Sequence, residues 1–309
     1  MFTFYIENDY FGGTDRHYTN GVKFSYLSGN LNALPNWSRE FADALPLVGR
    51  DAKQRNFGVA LGQNMYTPEN TDAQVPDPAD RPYAGWTYLE FNFINKTEHI
   101  MDTISVQIGV IGRHSYAQET QNEVHRLIHN KEAKGWAYQL EDEVAGAVIL
   151  ERRWRLFARS FYETFGADLV PHAGVSLGTT KTHANLGTTV RVGFNLPNDF
   201  GTELISGGAA TNSPLGGRDP RLDGNRRASV FIFGGCDGRA VARDIFLDGN
   251  TFEDSASVDK KNFVGDAYYG IGLVLKKWQL TYTNVARTKE FKAQRQKNYF
   301  GSITLSRAW

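Results

Sequence analysis

The stretch from Asn298 to the carboxy-terminus alternates with a period of two. Tyr299, Gly301, Ile303, Leu305 and Trp309 fall on one side of an extended chain, and Phe300, Ser302, Thr304, Ser306 and Ala308 on the other. Arg307 is the one poor fit on the apolar side, and it lies close enough to the end to reach a lipid headgroup. A soluble domain would bury such a strand in a core. Many other segments of this chain share the period, which means one apolar face and one polar face on strand after strand. A bilayer outside and a polar interior inside accommodate that pattern, as in an outer-membrane barrel whose last residue belongs to its last strand.

Hydropathy alone would mislead. The hydrophobic fraction is 41% and mean hydropathy is −0.44, values that a soluble protein could share. Only alternate residues of a barrel strand meet lipid, so a low average is expected. No apolar run reaches the roughly 18 residues that a transmembrane helix needs. Aromatic residues make up 13% of the chain, and 31 glycines are present. Both suit interfacial girdles and closely packed strands. The 34 basic and 34 acidic residues cancel, and nothing in that balance points to nucleic acid. The single cysteine, Cys236, follows the apolar run Val230 to Gly235, which reads as a packed or lipid-facing thiol. Met1 leads directly into Phe2-Thr3-Phe4-Tyr5-Ile6, so the chain reads as a mature sequence whose export signal has been removed.

Counting alternating runs between turn signals gives twelve strands. The first six are Phe2 to Asn8, Tyr18 to Ser28, Asn56 to Met65, Gly85 to Asn95, Thr103 to Gly112 and Glu143 to Arg155. The others are Phe165 to Gly178, Gly187 to Leu196, a long one from Ser229 through Val241 to Leu247, Ala267 to Leu275, Trp278 to Ala286 and Asn298 to Trp309. Scoring Ala240 to Leu247 separately would give an odd number, whereas single-chain bacterial barrels favour an even one. The expectation is an all-β, twelve-stranded antiparallel transmembrane barrel, one domain over 1–309. Parity then puts 9–17, 66–84, 113–141, 179–186, 248–264 and 287–297 on the outward side. Two inward connections, 29–54 (with a possible short helix from Trp37 to Leu45) and 197–228, are longer than periplasmic turns usually are.

Loop 113–141 predicts a helix from about Ala117 to Asn130. Gln121 and His125 are one turn apart on a common face, flanked by Val124 and Ile128, so two polar groups would point at the barrel. A second cluster comes from Asn8-Asp9 at the end of strand one and from Asp15 and Tyr18-Thr19-Asn20-Gly21 opening strand two. Asn8, Asp9 and Thr19 offer the hard oxygen donors that calcium takes, although Asx-rich turns use the same residues. Asp80-Arg81-Pro82-Tyr83-Ala84-Gly85-Trp86 sets an acid–base pair and two aromatics at the same boundary, where an ordinary tight loop would also carry girdle aromatics. By parity all these segments lie at the outward rim.

Taken in order, these pieces resemble the outer-membrane lipid A 3'-O-deacylases. The matching segments are Glu7-Asn8-Asp9, Tyr18-Thr19-Asn20-Gly21, Tyr66-Thr67-Pro68, Asp80 to Trp86, Ile108 to Gly112, and Gln121-Asn122 with Val124-His125-Arg126. They cover the amino-terminal half well, and the rest matches mainly as barrel strands. The resemblance implies a calcium-dependent esterase site between the outer barrel wall and the loop helix. His125 would be the general base and Gln121 a catalytic partner, with Asn8, Asp9 and Thr19 as the metal set and Arg81 and Glu132 as substrate contacts. The substrate would be lipid A, alone or within lipopolysaccharide, met in the outer leaflet of the outer membrane by an outward-facing site on a monomer. Two features depart from the family pattern. The stretch 66–80 has no lysine, and the acidic residue expected six positions after the histidine is Lys131, with Glu132 beside it. A phospholipase-type barrel with a serine beside its histidine, and a passive pore or adhesin, are the alternatives, although no Gly-x-Ser-x-Gly pattern stands out.

Overall fold

In the computed structural model the chain is described over residues 1–12, 17–33, 40, 52–127, 129, 131–160, 164–202, 204–205, 213–216, 219–223 and 228–309. The expected helix Trp37 to Leu45, together with Asp15, Ile128 and Asn130, lies outside these residues apart from Glu40. Consecutive strands pair antiparallel around a closed ring. The first six are β1 (Phe2–Asn8), β2 (His17–Leu27), β3 (Gln54–Thr67), β4 (Ala84–Lys96), β5 (Ile100–Ile111) and β6 (Glu143–Trp154). The rest are β7 (Phe165–Gly178), β8 (Lys181–Phe194), β9 (Ala228–Asp244), β10 (Phe263–Leu275), β11 (Trp278–Arg287) and β12 (Asn298–Arg307). β1 closes on β12, with Phe2 opposite Arg307 and Asn8 opposite Gly301, so both chain ends lie at one end of the barrel.

A further piece, Phe157–Ser160, continues the line of β6. β7 pairs with β6 from Gly178 to His172 and with this piece from Leu169 to Gly166. Pro171 sits in the gap and has no N–H to give a neighbour, which accounts for a broken sixth stave.

Alternation sorts the side chains as the sequence predicts. Leu61, Leu89, Ile108, Ile232 and Leu273 point outward and exposed, and Cys236 shares that outer surface. Phe2, Tyr26 and Trp309 form an aromatic cluster at the terminal end, and Arg307 lies over the Trp278 ring. Inward positions carry a polar ladder. Lys23 pairs with Glu90 at 3.5 Å, and Glu90 accepts from Gln107 Nε2 at 2.7 Å and from Asn92 Nδ2 at 2.9 Å. These hidden polar residues explain the low mean hydropathy.

The same concealment explains a corrected boundary. β8 starts at Lys181 rather than Gly187, so the expected loop 179–186 is a turn of residues 179–180. Lys181 and His183 face the interior, where their polarity hides the strand signal. β9 is one continuous strand that ends where α2 (Ile245–Asp248) begins, and the side chain of Asp244 accepts from Phe246 N at 3.1 Å. Helix α1 (Ala117–Leu127) is shorter than predicted.

The lumen is filled from both ends. At the loop end α2 folds inward, where Phe246 stacks on Tyr66 with centroids 4.2 Å apart, in a cluster with Tyr18, Trp86, Tyr88 and Phe300. At the terminal end, described parts of 197–223 fold into the barrel. Asp199 bonds Arg191 and Arg221, Arg221 bonds Gln279 at 2.8 Å, and Ile205 N donates to Glu7 Oε1 at 2.6 Å. Two cavities inside measure about 50 and 60 Å³, enough for a few waters.

Candidate active site

The site is built on the outer surface of the wall, at the end of the barrel where β1 stops. Gly112 turns the chain out of β5 at φ +92°, and a Cβ there would lie 2.8 Å from Asp142 N, so this turn requires glycine. The chain then crosses back over β4 and β3. Gln63 Nε2 and Thr87 Oγ1 both donate to the Ser115 carbonyl, at 2.7 Å each. Gln63 and Thr87 share their faces with the exposed Leu61 and Leu89, which fixes this loop on the outside. Helix α1 starts directly above Gly85. A Cβ at that position would come within 2.2 Å of Ala117 Cβ and of Ser115 Oγ, so the missing side chain admits the helix.

One face of α1 is buried, and it carries Ala117, Gln121 and His125. The predicted pair therefore does face the barrel. Val124 flanks that face but is exposed rather than packed against the wall. Ala117 packs in a cluster with Met65, Tyr83, Ala133 and Trp136.

Two bonds fix the two polar side chains. His125 Nδ1 lies 2.5 Å from the Lys131 carbonyl oxygen. A carbonyl can only accept, so Nδ1 carries a proton, and in the neutral ring Nε2 carries the lone pair. The chain reaches this geometry by reversing after α1, with His129 at φ +56°. The position where a carboxylate is expected thus orients the imidazole through its main chain. Gln121 Oε1 accepts from the Trp136 indole at 2.6 Å, so Gln121 Nε2 is left as a buried donor with no partner among the described residues.

The proposed metal set lies at the neighbouring strand ends. Asn8 is opposite Asn20 in the β1–β2 register, and Asp9 and Thr19 are the next residues on each side. The β2–β3 register shifts between Tyr18 and Asn20, and the Thr19 hydroxyl lies 2.7 Å from that of Thr67 at the end of β3. That contact ties the Asp9–Thr19 corner to the strand on which α1 rests. Asp9 is buried, and Asn8 Oδ1 accepts from Tyr10 N at 2.8 Å, which leaves its second lone pair. Among the described residues no three His, Cys, Asp or Glu side chains gather into a metal site. A cation here would be held by one carboxylate with neutral oxygens, a donor set that fits calcium and does not suit zinc.

Arg81 and Glu132 are not brought to this face. Arg81 is buried at the mouth of the lumen just ahead of β4, 3.3 Å from Glu290 and over the Tyr66 ring. Glu132 is exposed and lies 3.5 Å from Arg126 on the solvent side of α1. Sequence reasoning missed Trp136, Thr67 and the Lys131 carbonyl. A tryptophan in an outward loop was the one available signal, since so large a ring needs cover. A backbone carbonyl leaves no mark in sequence.

Comparison with known proteins gives a family match over residues 1–309, to the family described as outer membrane protein LpxR. Among solved structures, LpxR from Salmonella typhimurium is 17% identical, covers 100% of this chain and 99% of its own, and superposes with a TM-score of 0.77. At that identity the likeness concerns the fold, which it supports over the whole barrel. A structure described as the NanC porin covers 100% of both chains at 4% identity and a TM-score of 0.42, too distant to carry an argument. No curated protein sequence matches.

Proposed function

Because this chain belongs to the LpxR outer membrane protein family, we propose that it is a calcium-dependent ester hydrolase that removes the 3'-linked acyl or acyloxyacyl group of lipid A. The observation that carries this reading is the pair of polar groups under α1. His125 offers a lone pair on Nε2, and Gln121 offers an unpartnered N–H one turn away.

The reaction follows from these atoms. His125 Nε2 accepts a proton as water attacks the ester carbonyl carbon. The Lys131 carbonyl holds the ring in place and accepts from Nδ1–H while the imidazolium exists. Gln121 Nε2 donates to a developing oxyanion or to the attacking water. Calcium held by Asn8, Asp9 and Thr19 would polarise the acyl carbonyl. As the tetrahedral intermediate collapses, the C–O bond to the sugar breaks and the imidazolium returns its proton to the leaving alkoxide. The products are a free fatty acid and lipid A with a 3'-hydroxyl.

Water rather than serine is favoured as nucleophile. Ser115, the serine beside α1, is buried and its hydroxyl donates to the Gly112 carbonyl at 2.5 Å. A filled lumen speaks against a passive pore. The test is mass spectrometry of lipid A from cells that express the protein, with and without calcium. Loss of the 3' acyl group only when calcium is present supports the reading, and unchanged lipid A from folded protein refutes it.

A further inference from the structure

Helix α1 has three faces, and the active-site reading uses only one. With about 100° between residues, the flank beside the buried line carries Thr120, Val124 and Leu127, and the exposed Tyr116 stands just ahead of the helix. The remaining surface carries Glu119, Glu123 and Arg126. Tyr116 is 61% exposed, Val124 42% and Leu127 79%. The Thr120 hydroxyl donates to the Tyr116 carbonyl at 2.9 Å, so even the polar residue of this flank spends its hydrogen bond within the helix. The charged surface is self-paired, with Arg126 2.8 Å from Glu123 and 3.5 Å from Glu132. This flank is thus free of charge, and the face turned away from the buried line is laced with it.

The turn that leads into α1 lies beside an exposed apolar surface of the wall. Gln63 and Thr87, which hold the Ser115 carbonyl just ahead of α1, are each two residues from Leu61 and Leu89. Two residues of strand span roughly 7 Å, so the exposed leucine belt of the barrel begins about one side chain away from the turn at Ser115 that starts the helix. That belt faces acyl chains in any outer-membrane barrel. Exposed apolar residues on one flank and charges on the other are the pattern of a helix lying in a membrane interface.

We propose that the Tyr116–Val124–Leu127 flank is a lipid-docking surface, seated among the acyl chains of the leaflet as a continuation of the Leu61–Leu89 belt. It follows, resting on the deacylase reading, that the ester reaches His125 from the chain side of the helix without leaving the leaflet.

The test uses the full protein with Cys236→Ser and single cysteines at 119, 123, 124 or 127, each carrying a nitroxide. The variants are reconstituted in phosphatidylcholine–phosphatidylglycerol bilayers. Labels at 124 and 127 are expected to relax more with oxygen than with a water-soluble nickel chelate, and labels at 119 and 123 the reverse. Chelate preference at all four positions overturns the proposal. So does spin–spin broadening between copies at 124 and 127, which would mean that a second chain covers the flank. The hydrolytic arm compares lipid A in bilayers with lipid A dispersed in detergent. The ratio of the two rates is expected to fall about tenfold for Leu127→Asp and to stay at the parent value for Glu119→Gln. An unchanged ratio for Leu127→Asp overturns the entry route. If the oxygen pattern holds while no variant or parent hydrolyses lipid A in either medium, the deacylase reading fails and the lipid-docking flank stands.

Discussion

Trp136 and Gln121 are fifteen positions apart, and a single bond from the indole Nε1 to the amide Oε1, 2.6 Å long, decides which way the glutamine faces. Without that donor the amide could present its oxygen or its nitrogen to the site. With it, the nitrogen is presented. Trp136→Phe keeps a large ring under α1 and removes the N–H. An unmatched buried acceptor costs about 1–3 kcal/mol, so fatty-acid release from lipid A is expected to fall roughly ten- to hundredfold with the barrel still folded. A rate equal to the parent's would mean that Gln121 is oriented by something else.

His125→Ala removes the proposed base, and losing general-base assistance costs about 10²–10⁴-fold in rate. His129 is exposed in the turn after α1 and makes the better control, so His129→Ala is expected to keep most activity. The comparison is made on purified lipid A at saturating calcium. Equal rates for both variants and the parent would take His125 out of the mechanism.

Calcium is expected to raise the thermal unfolding temperature of the parent, as any ligand that binds only the folded state must. Asp9→Asn removes the one carboxylate of the donor set and should abolish that shift. The readout needs no substrate, so it separates metal binding from catalysis. A calcium-induced shift that survives Asp9→Asn would place the cation elsewhere.

Arg81 supports the mouth of the lumen. Cutting a buried ion pair from one side costs about 3–5 kcal/mol, less where the abandoned charge has another partner. Glu290 also has Arg287 at 3.6 Å, so Arg81→Ala should lower thermal stability by less than that and leave KM for lipid A unchanged. A raised KM with unaltered stability would restore the substrate contact that the sequence suggests.

Asp199 pins the inner segment, and its pH behaviour follows from its neighbours. Burial alone would raise its pKa, but the Arg191 and Arg221 guanidinium groups overcome that and hold it below the ordinary carboxylate range. A depressed folded-state pKa stabilises the segment above the unfolded value of about 3.9, and that stability is lost as pH falls toward the folded value. In planar bilayers the parent is expected to conduct negligibly at neutral pH. Asp199→Ala combined with Asp219→Ala should open measurable conductance, and a double variant as silent as the parent would show that other contacts seal the lumen.

The barrel is largely legible in sequence because a membrane enforces strict alternation. β1 and β7 start and stop where the alternation predicts. Legibility fails where polarity turns inward, as at Lys181 and His183, whose lumen-facing positions read as loop. Gln121 and His125 are legible as a pair because helical spacing fixes a shared face. The direction of Arg81 is not legible, because adjacency to the rim does not say whether a long side chain leans over the mouth or away from it. The partners of the candidate pair, Trp136 and the Lys131 carbonyl, are set by how one loop folds back on itself, and no periodicity encodes that.

The filled lumen also limits the traffic this protein can carry. With aromatic rings at one end and arginine–aspartate pairs at the other, the barrel is plugged rather than open, and its usable surface is its circumference. Substrate and product can move sideways along the wall without passing through it. Cells could therefore hold many copies without losing ions or small solutes across the membrane.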